Sequence, residues 1–382
     1  MRASRSRGAA ALTGAALVVA SVAVAVPIGA GPAAASSSTT ITLYNGQHEQ
    51  TTDTLVSAFE RQTGITVKVR SDDEDVLANQ VAEEGSNTPA DVIYTENSAP
   101  LEFLQEKGLL GPVARSTLAA VPSQYNSPRG DWVGVSARVS VLVYNPGIVP
   151  ASRLPTSIMD LASPKWRGKL GIAPGETDFQ PLVTSIERSR GHAAAVRWLQ
   201  AIKANAASHT YPDNETLTAM VNQGQVGLGV INQYYWYRSV DENGKASTHS
   251  AIAYFAPRDP GYVLDVSGAA VLRSTTQRAA AQRLVAFLVS AAGEQILAHS
   301  KSYEYPLGSG VSTAQALRPF DTLQPTPLTV SQIGDGQGAV ALLREVQLLC
   351  PCPRDPWRGP TGRLLSRPLR RDAADAAGCS SG

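Results

Sequence analysis

The sequence predicts an α/β protein made of two doubly wound lobes. Two observations carry that prediction. From Thr40 onward, short alternating apolar runs are interleaved with helical patterns, which marks sheets covered by helices on both faces. The same alternation starts again at Val139, and 382 residues that are 43% hydrophobic suffice for two such units.

The elements follow in order. "TITLYNG" at Thr40–Gly46 reads as a strand, and a helix with Leu55, Phe59 and Gln62 on one face then runs to Gly64. "ITVKV" at Ile65–Val69 and "ADVIYT" at Ala90–Thr95 are strands, separated by a helix that closes at Gly85. "APLEFLQEKGLL" is a helix with a stop at Gly108. In the second set, "VSVLVYN", "KLGIAPGETDF", "VGLGVIN", "AIAYFAP" and "SGAAVLR" supply strands. "AAAVRWLQAIKA", "LTAMVNQGQ", "YYWYRSV" and the long run Ala279–Ala298 supply helices. No repeat of fixed period is visible.

The two ends differ from this body. Arg2, Arg5 and Arg7 precede the small apolar stretch Ala9–Val26, and Ala33 and Ala35 fit a cleavage site, so residues 1–35 read as a secretory signal peptide. A membrane anchor is the alternative. No Cys near the cleavage site offers a lipid attachment point, and no Arg-Arg pair precedes the apolar stretch, which favours ordinary secretion. The three cysteines, Cys350, Cys352 and Cys379, all fall in a Pro-, Arg- and Gly-rich tail, 350–382, expected to be disordered. An exported body without cysteines must depend on a large core. The formal charge of +1 lacks the basic field that nucleic-acid binding needs. There is no G-x-S-x-G, P-loop or H-E-x-x-H.

Ligands of doubly wound sheets bind beyond the carboxyl ends of the strands. His48 lies just past the first strand and Glu96 just past the third. In "NQYYWYRS" three tyrosines and a tryptophan occupy four positions of a chain that is 6% aromatic. Neighbours on a helix diverge by about 100°, but at a helix start facing a cleft Tyr234 and Tyr235 can converge, with Asn232 as N-cap. The competing reading is an aromatic cluster packed in a core or lobe interface. Two phenolates and one carboxylate would match the charge of Fe³⁺, with His48 as a neutral donor. A free phenol has a pKa of about 10, and a trivalent cation at bonding distance lowers it. The set suits zinc and calcium poorly. Taken singly, His48 reads as a loop histidine and Glu96 as a capping acid. His192, His209, His249 and His299 lack ligand spacing and read as surface residues; Tyr237 reads as packing.

The runs "ITLYNGQHEQTTDTLVSAFERQTGITVKV", "EEGSNTPADVIYTE", "INQYYWYRSVDENG" and "RDPGYVLDVSGAAVL" resemble the bacterial periplasmic ferric-ion-binding proteins, and the likeness extends over Thr40–Leu349. It implies a type II periplasmic-binding-protein fold whose lobes are joined by hinge strands, near Arg138–Asn145 and Ala256–Val263. The first lobe would hold 36–139 and 262–313, the second 140–261 and 314–349. It also implies His48, Glu96, Tyr234 and Tyr235 as ligands of Fe³⁺ in a monomer that serves an inner-membrane ABC permease, in the periplasm or at the cell surface. Four donors leave two of six positions, commonly filled in the family by phosphate or carbonate. Asn214 and Asn232 match positions that contact this anion, and Asn97 stands where the family often has Gln. The chain departs from the family at Glu176, Thr177 and Asp178, where phosphate binders have a small loop. Two carboxylates there would repel phosphate; they could cap the following helix, or one could reach the metal. Carbonate, held by Arg138, is the expected anion; a structural salt bridge is the other reading of Arg138. A same-fold binder of an organic cation or sugar, with Tyr234 and Tyr235 as a stacking platform, and an iron-dependent enzyme are the alternatives.

Overall fold

The computed structural model describes residues 39–349, apart from 309, 312 and 315. The expected signal peptide and tail lie outside the described residues. No helix among the described residues is long and apolar enough to cross a membrane.

β1 (Thr40–Gly46) opens the fold, with Ile41 and Leu43 buried. α1 (Glu49–Thr63) buries Leu55, Val56 and Phe59 and stops at Gly64, whose φ of +68° is a left-handed conformation that favours a residue without a Cβ. β2 (Thr66–Ser71) and β3 (Val92–Thr95) flank β1 and run parallel to it. α2 (Glu74–Glu84) makes the crossover between them. α3 (Ala99–Glu106), β4 (Leu110–Gly111) and α4 (Arg115–Leu118) complete this part.

β5 (Trp132–Tyr144) is longer than its alternating run suggested, and every one of its residues is buried. β6 (Leu170–Gly171) is shorter than expected. Beyond it Ile172 makes a single bridge to Thr210, and Pro174 cannot donate to a ladder. α5 (Phe179–Arg190), α6 (His192–Ala206) and α7 (Asn214–Asn222) precede β7 (Leu228–Asn232) and α8 (Gln233–Asn243). β8 (Ala251–Ala253) and β9 (Leu264–Leu272) follow. The run expected to be one helix from Ala279 is two, α9 (Arg278–Leu288) and α10 (Ala291–Ala298). Ser290 divides them: its Oγ accepts from Gly293 N at 3.3 Å and donates to Phe287 O at 2.7 Å. β10 (Tyr305–Pro306) pairs with β5; α11 (Val330–Ile333) and α12 (Gln337–Glu345) pack on α5.

The strand order is β2-β1-β3-β9-β5-β7-β6. Parallel strands form both outer parts, and antiparallel β9 and β5 join them. β5 pairs with β9 over Trp132–Val139 and with β7 over Ser140–Tyr144, so one strand serves both halves. That agrees with a crossing at Arg138–Asn145. The second expected crossing, Ala256–Val263, does carry the chain from β8 to β9, but as turns rather than a strand. Pro257 and Pro260 remove ladder donors there, and Arg258 has φ of +60°.

Candidate functional site

The carboxyl ends of two oppositely directed sets of strands, β1 with β3 and β6 with β7, face each other within the sheet. His48 follows β1, Glu96 follows β3, the Glu176–Asp178 turn follows β6, and Tyr234 and Tyr235 stand in the first turn of α8 after β7. Each of these strands belongs to a parallel pair, so all four points lie at carboxyl ends, where the crossovers open a crevice. The crevice there has a volume of about 1030 Å³ and is lined by His48, Glu96, Glu176 and Tyr235, among others. Its other charged walls are acidic, with Glu49, Asp72, Asp73, Asp75 and Glu215 and neither Lys nor Arg.

The four sequence-predicted donors are brought together. His48 Nδ1 lies 3.0 Å from Glu96 Oε1, and Tyr234 Oη donates to Glu96 Oε2 at 3.4 Å. The His48 ring meets the edge of Tyr234 at a centroid distance of 4.9 Å, and Tyr234 stacks on Tyr235 at 4.0 Å. Both tyrosines are buried and stack on each other, with Tyr235 reaching the crevice wall. His48 Nε2 is buried with no hydrogen-bond partner. Burial alone would raise the Glu96 carboxyl, but the charge and hydrogen bond of His48, with Arg138, outweigh it and bring it down to about 2. Burial opposes a charge on His48, yet Glu96 raises its pKa. Burial first, and then Glu96, Asp178 and neighbouring groups, push both phenols well above their usual value.

Behind the phenols is a polar network centred on fully buried Arg138. Its Nη2 lies 3.3 Å from Asp178 Oδ1 and 3.9 Å from Glu96 Oε2; its Nη1 lies 3.4 Å from Glu304 Oε1 and donates to Glu96 O. Arg138 therefore serves as a salt-bridge centre, and an anion reaching its terminal nitrogens must displace a carboxylate. Asn97 Nδ2 donates to Glu74 Oε1 at 2.7 Å, Thr177 Oγ1 at 3.2 Å and Asp178 Oδ1 at 3.3 Å. Asn214 N donates to Glu176 Oε1 at 2.9 Å, and burial with the nearby Asp178 charge pushes Glu176 up to about 8. Asn232 occupies the N-cap position of α8 but makes no side-chain cap; its Oδ1 accepts from Ser140 Oγ at 3.4 Å. Asp178 likewise precedes α5 without capping it.

Sequence reasoning missed Glu304, Glu74 and Gln47. Glu304, fully buried before β10, accepts from Ser136 Oγ at 2.6 Å and Gln47 Nε2 at 3.1 Å. Glu74 holds Asn97 through both its backbone N and its amide, each at 2.7 Å. Nothing local marks these residues. Glu74 sits among exposed helix-start acids, and Glu304 between two tyrosines.

Residues 87–325 match the family described as bacterial extracellular solute-binding protein. The "Fe(3+)-binding periplasmic protein" of Serratia marcescens is 35% identical over 309 residues, 81% of this chain and 90% of that protein. The chain belongs to the bacterial extracellular solute-binding proteins. Another relative of this solute-binding protein is the "Major ferric iron-binding protein" of Neisseria meningitidis serogroup A, 35% identical over 80% of this chain and 92% of that one. Iron-bound HitA from Pseudomonas aeruginosa superposes with a TM-score of 0.77 at 41% identity, covering 81% of this chain and 99% of that one. The bilobal α/β fold expected of the family is thus the fold of this solute-binding protein.

Proposed function

We propose that this protein binds ferric ion outside the cytoplasm and delivers it to the permease of an ABC importer, its two lobes closing on the metal. His48 and Glu96 supply one wall, Tyr234 and Tyr235 the other. The observation that carries this reading is the convergence of a buried phenol, a carboxylate and an imidazole, with Tyr234 Oη 3.4 Å from Glu96 Oε2 and His48 Nδ1 3.0 Å from Glu96 Oε1. Hard anionic oxygen donors suit a hard trivalent cation. Two phenolates and one carboxylate neutralise it, and His48 adds a donor without charge. Among the described residues no three His, Cys, Asp or Glu side chains form a cage of their own, so the phenols are indispensable to this set. The names of the relatives support the same cargo.

Ligands drawn from both walls make metal capture and closure one event, since only the closed state satisfies the metal. Four protein donors leave two positions on a six-coordinate ion. The acidic walls disfavour phosphate, so these positions go to a smaller oxygen donor, carbonate or one of the chain's own. Nothing in this account requires turnover of a substrate, and the role is that of a carrier.

Ferric titration followed by visible absorption tests the proposal. The wild type should develop the phenolate-to-iron charge-transfer band and turn red-orange. The variant with Tyr234→Phe and Tyr235→Phe should stay colourless while remaining folded. A wild type that stays colourless, or a double variant that colours equally, would refute it.

A further inference from the structure

Asn97, the neighbour of Glu96, is buried and 2% exposed. Its backbone is fixed by its own half of the sheet. Its N donates to Glu74 Oε2 and its O accepts from Thr95 Oγ1, each at 2.7 Å. Thr95 ends β3, and Glu74 opens α2, the helix that leads into β3. The amide also donates to Glu74 Oε1 at 2.7 Å, and then reaches the other half. Its Nδ2 lies 3.2 Å from Thr177 Oγ1 and 3.3 Å from Asp178 Oδ1. Both belong to the turn after β6, which pairs with β7. Three acceptors surround Nδ2, while Oδ1 is buried without a partner. The amide is thus oriented wholly for donation.

The far end of this bridge is preset as well. Asp178 Oδ1 faces Arg138 Nη2 at 3.3 Å, and Arg138 stands on β5, the strand that serves both halves. Arg138 also donates to Glu96 O, so the Glu96 backbone is held between Arg138 and the fixed Asn97. Groups oriented in advance lose little freedom when they meet. A second contact crosses the same gap: Gln180 Nε2 of α5 reaches Asp75 Oδ2 of α2 at 3.5 Å. Asn97, Thr177, Asp178, Gln180 and Asp75 all lie outside the proposed donor set. Bonds between the walls exist only while the walls are together, so they favour closure by an amount that does not depend on a metal.

We infer that Asn97 is a positioning residue that latches the wall carrying Glu96 to the Thr177–Asp178 turn, favouring closure with or without iron and slowing iron release. The release part rests on the ferric reading above; the latch itself does not.

Two measurements on the whole protein test this. One is small-angle X-ray scattering of the iron-free protein. The other is iron release to excess EDTA, followed by loss of the charge-transfer band. Asn97→Ala removes every bond of the amide but leaves the backbone N to Glu74. Thr177→Val removes one acceptor at a half-buried position, and Thr177→Ser returns the hydroxyl. Iron-free Asn97→Ala should have a larger radius of gyration than the wild type, with a smaller increase in Thr177→Val. Release should be about 3- to 10-fold faster from Asn97→Ala, as loss of ordinary hydrogen bonds implies, and less accelerated from Thr177→Val. Thr177→Ser should restore both readouts. Asn97→Ala combined with Thr177→Val should behave like Asn97→Ala alone, because both break the same bridge. A merely structural Asn97 would lower the urea midpoint and leave the radius of gyration and the release rate at their wild-type values; that result would overturn the inference. Release from Thr177→Val no faster than from Thr177→Ser would overturn it too, and this pair decides even if Asn97→Ala folds poorly. A wild type that never develops the band would instead defeat the ferric reading, and the scattering would still decide the latch.

Discussion

At the residue scale, the site is defined by what burial does to its donors. The phenols of Tyr234 and Tyr235 are pushed well above the ordinary tyrosine value by burial and by surrounding carboxylates, so both carry protons in the metal-free protein at neutral pH. A ferric ion must displace those protons to gain phenolate ligands. Each binding event therefore releases protons, and apparent affinity rises with pH. In a weakly buffered solution, iron addition to the wild type should acidify the medium, and Tyr235→Phe should lower the yield by one phenol proton; equal release from both would contradict the assignment. That His48, Glu96, Tyr234 and Tyr235 would meet could be expected from the sequence, because they lie at strand ends in short motifs that carry the family resemblance, and the fold does bring them together. Glu304 could not, since its importance comes from Ser136, Gln47 and Arg138, which approach it only in the folded chain. Asp178 was visible as a departure from a pattern, but its unpartnered Oδ2 was not.

At the scale of elements, periodicity was a good guide where an element ended on a conformational stop. β1 spans the predicted Thr40–Gly46, and α1 ends at the left-handed Gly64. It was a poor guide where apolar content continued through a break. Leu288 and Val289 before the break and Ala291 and Ala292 after it continue the apolar content between α9 and α10, yet Ser290 ends one helix and starts the next. Ser290→Ala removes both the cap on Gly293 N and the bond to Phe287 O. The expected cost is about 1 kcal/mol, read as a lower urea midpoint with an unchanged denaturant slope. An unaltered midpoint would mean that the break is set by packing alone. β6 errs in the other direction: its apolar residues are present, but Pro174 and the turn after it end the pairing early.

At the scale of the whole molecule, the strand order makes the account possible. β5 belongs to both halves of the sheet, and the Ala256–Val263 turns provide the second passage between them. The proposed donors after β1 and β3 thus come from one half, and those after β7 from the other. The sequence showed two sets of α/β elements, but the strandless second passage was hidden because apolar residues flank it on both sides, Phe255 and Ala256 before Pro257 and Tyr262 and Val263 after Gly261. The most direct test is an anomalous difference map at the iron edge from crystals of the iron-loaded protein. The account predicts one strong peak within coordination distance of the Tyr234, Tyr235 and Glu96 oxygens and a His48 nitrogen. A peak elsewhere, or one touching residues of only a single wall, would contradict it.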